Sequence, residues 1–314
     1  MLKISKGLLI ISASLLLAGC FNSEEKDPKP AAEEPKASLK VLTAPTKGEY
    51  NCGNNFDKAG LTLEYTDKDG NKTTVTDFTL SEDKNLTYDQ TSVKATYNGL
   101  NVNVDITVNP ILEAQITCVG DSLTEGHNWP NESYPNYIKN NFEDASKITV
   151  KNCGKNGASF KTFGQYNPAY NTTTQYQDSL TGNPRILTIL LGTNDATNWA
   201  NEKDLYVQDY TDLVNLYRTT FGDDLNIIML TSPRCLTNTF GIPSDTICNE
   251  VVPLQKQLAE DLDCYLIDLN EEFNNHSDSD LFRQNDGVHF TKNAAEITAN
   301  LIASKVKEIY DLEN

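Results

Sequence analysis

Downstream of Pro110, short apolar runs recur at Gln115 to Val119, Ile148 to Asn152, Arg185 to Leu191, Asn226 to Leu230 and Tyr265 to Leu269. Between them, apolar residues fall at helical spacing, as at Tyr206, Tyr210, Leu213, Val214 and Tyr217, and again at Ala295, Ala299, Ile302, Val306 and Ile309. Strand-length runs alternating with amphipathic helices predict a parallel sheet covered by helices on both faces. In such sheets ligands bind outside the carboxyl ends of the strands, so residues that carry chemistry should follow strands directly.

They do. Gly120-Asp121-Ser122-Leu123 follows the first run, Asn152-Cys153-Gly154-Lys155-Asn156-Gly157 the second, and Gly192-Thr193-Asn194-Asp195 the third. Near the C-terminus, Asp286-Gly287-Val288-His289 places a carboxylate and an imidazole three residues apart. A serine at the end of a buried strand with such a pair is how a chain assembles an acyl-transfer triad. Each block also has a plainer reading: Gly-Asp-Ser as a turn, Asn194 as a strand-end cap, and Asp-Gly-Val-His as a turn into the last helix. His127, on the loop after Ser122, and His276, in an Asn/Ser/Asp-rich loop, read as surface residues.

Taken in order, the four blocks resemble the motif blocks of the SGNH (GDSL) hydrolases over about residues 113 to 311. The resemblance implies a flavodoxin-like, three-layer αβα domain with a parallel sheet over 111–314, working without a cofactor. It makes Ser122 the nucleophile, His289 the base that takes its proton, and Asp286 the carboxylate that holds the imidazole in the useful tautomer. It supplies three oxyanion donors: the backbone N–H of Ser122, the backbone N–H of Gly157 and the side-chain amide of Asn194. Gly154 is the alternative to Gly157. Glycine at 157 is expected so that backbone can approach substrate without a Cβ in the way. Asp121 and Asp195 read as structural carboxylates. Trp129, Tyr134 and Tyr166 are candidates either for lining the pocket or for packing.

The rest of the chain reads differently. Residues 1–19 are a signal peptide: Lys3 and Lys6 precede an apolar stretch, too short to span a bilayer, that ends in small residues. Leu17-Ala18-Gly19-Cys20 resembles a bacterial lipobox, which implies cleavage before Cys20 and lipid attachment to its thiol. Residues 20–37, rich in Glu, Lys, Pro and Ala, cannot bury enough surface to fold and form a flexible linker. Residues 38–110 alternate apolar and polar residues, as in Leu61 to Tyr65 and Val102 to Val108, with hairpin dipeptides at Asp69-Gly70 and Asn98-Gly99. A small all-β sandwich is expected, and Tyr50 to Phe78 resembles a bacterial immunoglobulin-like domain.

A formal charge of −18 with no basic cluster excludes nucleic acid as a partner. Of seven cysteines, Cys235 and Cys248 are the most plausible disulfide in an exported chain, whereas Cys118, Cys153 and Cys264 sit in strand-like runs. No cysteine or histidine spacing suggests a metal site. The expectation is an exported serine esterase, lipid-anchored to the cell envelope at the outer membrane or cell surface. Its expected substrate is a small acyl ester, above all an O-acetyl group on carbohydrate, because Gly120 to Gly126 and Ser133-Tyr134-Pro135 are similar to sugar esterases of the family. The alternatives are a lysophospholipid esterase and a glycan-binding adhesin.

Overall fold

A computed structural model describes residues 36–222 and 224–312; the signal segment, Cys20 and most of the linker lie outside the described residues. Residues 38–112 form eight strands: β1 (Ser38–Thr43), β2 (Glu49–Cys52), β3 (Thr62–Thr66), β4 (Lys72–Val75), β5 (Thr79–Ser81), β6 (Ser92–Tyr97), β7 (Leu100–Asp105) and β8 (Thr107–Leu112). They make antiparallel sheets in the orders β1-β3-β4 and β5-β6-β7, with β2 and β8 paired in parallel. Alternation puts Leu63, Val75, Val93, Ala95 and Val104 in a shared core. Between β6 and β7, Asn98 and Gly99 both take positive φ, 47° and 75°, as a two-residue primed turn demands.

The β2–β8 ladder shifts register near Pro110, which has no N–H to give it, and Glu113 alone separates β8 from the next strand. The β region also touches the rest of the chain where Tyr88 N–H donates to Tyr310 O at 3.2 Å.

From Ala114 onward the chain is α/β. Strands β9 (Ala114–Gly120), β10 (Ile148–Gly154), β11 (Ile186–Leu190), β12 (Asn226–Leu230) and β13 (Tyr265–Ile267) pair in parallel in the order β10-β9-β11-β12-β13. Every residue of β11 is buried, as are Ile116 to Gly120 of β9, so these strands have two covered faces and no alternation. The helix Trp199–Phe221 buries Trp199, Tyr206, Tyr210, Leu213, Val214 and Tyr217 along one stripe. The final helix, Lys292–Ile309, does the same with alanines, Ile302 and Val306, and is capped by Thr291, whose hydroxyl accepts from Ala294 N–H at 3.2 Å.

This strand order carries the functional consequence. The chain leaves β9 for β10 on one side and returns to β11 on the other, so the crevice at this switch point opens at the carboxyl end of β9. Ser122 stands there.

Candidate active site

Three loops meet at that edge. After β9, Asp121 caps the short helix Ser122–Glu125, its Oδ1 accepting Leu123 N–H at 2.9 Å. Burial pushes the Asp121 carboxyl up to about 7, against the lowering effect of that backbone bond. Ser122 O accepts from Gly126 N–H at 3.0 Å and His127 N–H at 3.2 Å, which curls the chain so that His127 returns beside Ser122. The N–H of Ser122 itself donates to no described residue.

The second contribution is the Asp286–His289 turn. Asp286 Oδ1 accepts the N–H groups of Val288 at 2.9 Å and His289 at 2.8 Å, and Oδ2 faces His289 Nδ1 at 3.0 Å. The carboxylate therefore holds the proton on Nδ1 and leaves Nε2 as the acceptor, with no partner among the described residues. Arg283 fastens this turn from outside. Its N–H donates to His289 O at 2.9 Å, its Nε to Phe290 O at 2.9 Å, and its guanidinium lies 4.3 Å from the Trp129 ring while pairing with Glu132.

Burial lowers the His289 pKa below its ordinary value; Asp286 works against this, and nearby His127, 5.3 Å away between ring centroids, adds to it. Only the neutral imidazole can take a proton. The acid limb of kcat/KM is therefore expected below the unperturbed histidine value of about 6.5, with activity full above it and lost as pH falls through it. His127→Gln removes the neighbouring imidazole that adds to this lowering and should move that limb upward. A pH profile with its limb above neutrality, or unmoved by His127→Gln, contradicts this reading.

The third contribution comes from the loops after β10 and β11. Gly154 N–H donates to Asn152 Oδ1 at 2.9 Å, whereas Gly157 N–H, like that of Ser122, has no partner among the described residues. Glycine is also required at 157 by the protein's own packing. Its φ is +74°, and a Cβ there would lie 2.1 Å from Tyr166 O, so the constraint is the neighbouring loop. The Asn194 amide donates to Ala158 O at 3.0 Å and leans on Asp121 Oδ2 at 3.4 Å. Asp195, fully buried, orders the same loop by accepting Phe160 N–H at 2.8 Å. Asn194→Ala is expected to lower kcat by about 10²–10³-fold, the usual result of losing one oxyanion donor. Steady-state kinetics giving an unchanged kcat would remove Asn194 from that role.

Ser122, Gly157, Asn194 and His289 line one cavity of about 380 Å³, completed by His127, Asn156, Tyr166, Asn167, Thr197, Thr239, Phe240, Ile242 and Val288. Asp286 stands behind His289. Both catalytic-type side chains border this space, but no hydrogen bond joins Ser122 to His289. Of the aromatic candidates, Tyr166 lines the cavity, Trp129 lines a small recess beside Ser122, and Tyr134 is core, its hydroxyl meeting Thr124 Oγ1 at 3.1 Å. His127 is part of the site wall and not a simple surface residue; His276 pairs with Glu272 at 3.1 Å on its own loop.

The expected Cys235–Cys248 disulfide is absent: both are free thiols. Cys235 is buried and engages Ile242 O at 3.4 Å, while Asn270 donates to Cys248 Sγ at 3.7 Å, so each sulfur has its own polar partner. Among the described residues no group of three or more His, Cys, Asp or Glu could hold a metal ion.

Fold and site together define a parallel α/β domain with a serine, an imidazole–carboxylate pair and free backbone donors at its switch point. The GDSL-like lipase/acylhydrolase family model matches residues 118–297, and the chain belongs to this family. It is 23% identical over 214 residues to an acetylxylan esterase from Xylanibacter ruminicola, a match covering 62% of this chain and 43% of that protein. The chain thus spans less than half of that relative's length in the matched region. Among solved structures, a carbohydrate acetylesterase from Sinorhizobium meliloti is similar with a TM-score of 0.51 at 15% identity, over 63% of this chain and 100% of that one. A lipase/acylhydrolase from Enterococcus faecalis gives 0.48 at 19% identity, over 64% and 99%.

Proposed function

We propose that this protein is an exported serine esterase that removes small acyl groups, above all O-acetyl groups from carbohydrate. The observation that carries the reading is the Asp286–His289 pair at 3.0 Å bordering the same cavity as Ser122 and two unpartnered backbone N–H groups. A binding protein has no use for that combination, which argues against the adhesin reading.

In the proposed reaction Ser122 Oγ bonds to the ester carbonyl carbon as its proton passes to His289 Nε2. The charge that develops on the carbonyl oxygen is met by the N–H groups of Ser122 and Gly157 and by the Asn194 amide, which exchanges its 3.4 Å contact with Asp121 Oδ2 for the substrate oxygen. Collapse breaks the ester C–O bond, and the imidazolium returns its proton to the departing alcohol. Water then attacks the acyl-serine, giving its proton to His289, and the free acid leaves while Ser122 regains its hydrogen. Asp286 stabilises the imidazolium in both halves.

The acetyl preference draws support from the modest cavity, from its amide and hydroxyl lining, and from the relative named as an acetylxylan esterase. Acetate release from a panel of acetylated glycans, with Ser122→Ala as blank, tests it; a preference for long-chain over acetyl nitrophenyl esters would favour the lipid-ester reading instead. We read the β region as an immunoglobulin-like spacer and Cys20 as the lipid-bearing residue after signal cleavage. The native chain should then partition into detergent and Cys20→Ser should not; equal partitioning of the two would exclude the anchor.

A further inference from the structure

The geometry points to a glycan-gripping subsite formed by Tyr166 and Phe240 on two sides of the cavity mouth, which makes an oligosaccharide bearing the acyl group the preferred substrate. This deepens, and rests on, the esterase reading above.

Tyr166 is 76% exposed and Phe240 50% exposed, yet both line the Ser122–His289 cavity. They reach it from different loops: Tyr166 from the excursion after β10, Phe240 from the connection after β12. In the sheet, β9 and β11 lie between those two strands, so the rings approach the nucleophile from opposite flanks.

Neither ring hangs loosely. The loop bearing Tyr166 is closed by Phe163 N–H to Asn167 O at 3.0 Å and by a bridge between Ser159 and Ala169, and its backbone seats against Gly157. Phe240 N–H donates to Asn238 Oδ1 at 3.1 Å, and its ring stands edge-on to His289 at 5.5 Å.

Two water-exposed aromatic rings held at a cavity mouth offer flat apolar faces to a partner that is apolar on its faces and polar at its edges. A pyranose ring is such a partner. The edges also find matches: the side chains of Asn156, Thr197 and Thr239 line the same cavity and have no hydrogen-bond partner among the described residues. Thr197 and Thr239 are exposed and Asn156 half-buried, so water serves them in the free protein, and an acyl chain laid over them would strip that water with nothing in return. An oligosaccharide satisfies them.

The test compares the full chain with Tyr166→Ala and Tyr166→Trp on acetylated xylo-oligosaccharides and on 4-nitrophenyl acetate. Tyr166→Ala should lower kcat/KM on the oligosaccharide by about tenfold, mainly through KM, and by several times less on the nitrophenyl ester; Tyr166→Trp should retain most oligosaccharide activity. Equal losses on both substrates, no loss on the oligosaccharide, or a larger loss on long-chain nitrophenyl esters would overturn the subsite. Calorimetry of deacetylated xylo-oligosaccharide binding to Ser122→Ala, with and without Tyr166→Ala, judges it apart from turnover: weaker binding in the double variant supports it, and equal or absent binding rejects it. Full activity in Ser122→Ala would instead defeat the parent reading while leaving that binding result to decide the subsite.

Discussion

Ser122→Ala is expected to reduce ester turnover to a small residue, about 10⁶-fold below the native kcat by analogy with other serine hydrolases, with the fold intact. The loss is large because no other group in the cavity replaces the hydroxyl: without Oγ no acyl-enzyme forms, and His289 can at best activate water. The fold should survive because Ser122 contributes its backbone, not its hydroxyl, to the local structure. Its carbonyl holds Gly126 and His127, and the helix is capped by Asp121. Activity within about tenfold of native, with native circular dichroism, would place the nucleophile elsewhere.

His289→Asn should cost nearly as much, because serine and base act as a unit and removing either disables the pair. Here the structural side needs a control. The His289 ring is buried against His127, Trp129 and Phe240, so truncation also opens space beside the cavity. The backbone bonds from Asp286 to the N–H groups of Val288 and His289 remain in the variant, which should keep the turn. A loss that high pH or added imidazole reverses marks a missing base; a loss accompanied by a lowered melting temperature marks a damaged turn.

How much of this could be read from the chain differs by element. The central strands β9, β11 and β12 were legible because they are covered on both faces and so appear as nearly unbroken apolar runs, and β12 occupies the expected residues 226–230; the edge strands β10 and β13 are partly exposed and carry weaker runs. Strand ends were less legible. β10 runs on to Gly154 and β13 stops at Ile267, because sheet pairing and not composition sets where a ladder ends. Three of the four chemistry-bearing blocks stood out since they follow strands, where polar residues are needed for a site and seldom for packing; Asp286–His289 follows a short helix and was marked only by its carboxylate–imidazole spacing.

The rest of the cavity wall left no such mark. Asn156, Thr197, Thr239 and Phe240 lie on irregular loops without period, and only the fold brings them together. His127 was misread because a left-handed Gly126, φ 77°, turns it back toward Ser122, a local curl that loop position alone does not reveal. Tyr134 was ambiguous because a tyrosine can be core when its hydroxyl finds a partner, and Thr124 provides one. Cysteine spacing at 235 and 248 carried no information on whether the thiols point at each other.

The central claim is that Ser122 is a nucleophile activated by His289, and covalent labelling tests it most directly. The full chain should react once with a 4-nitrophenyl alkylphosphonate, releasing nitrophenol and leaving the phosphonyl group on the peptide that contains Ser122. That adduct should be missing in Ser122→Ala and form far more slowly in His289→Asn. An adduct on another residue, or an active esterase that takes up no label at Ser122, would contradict the account.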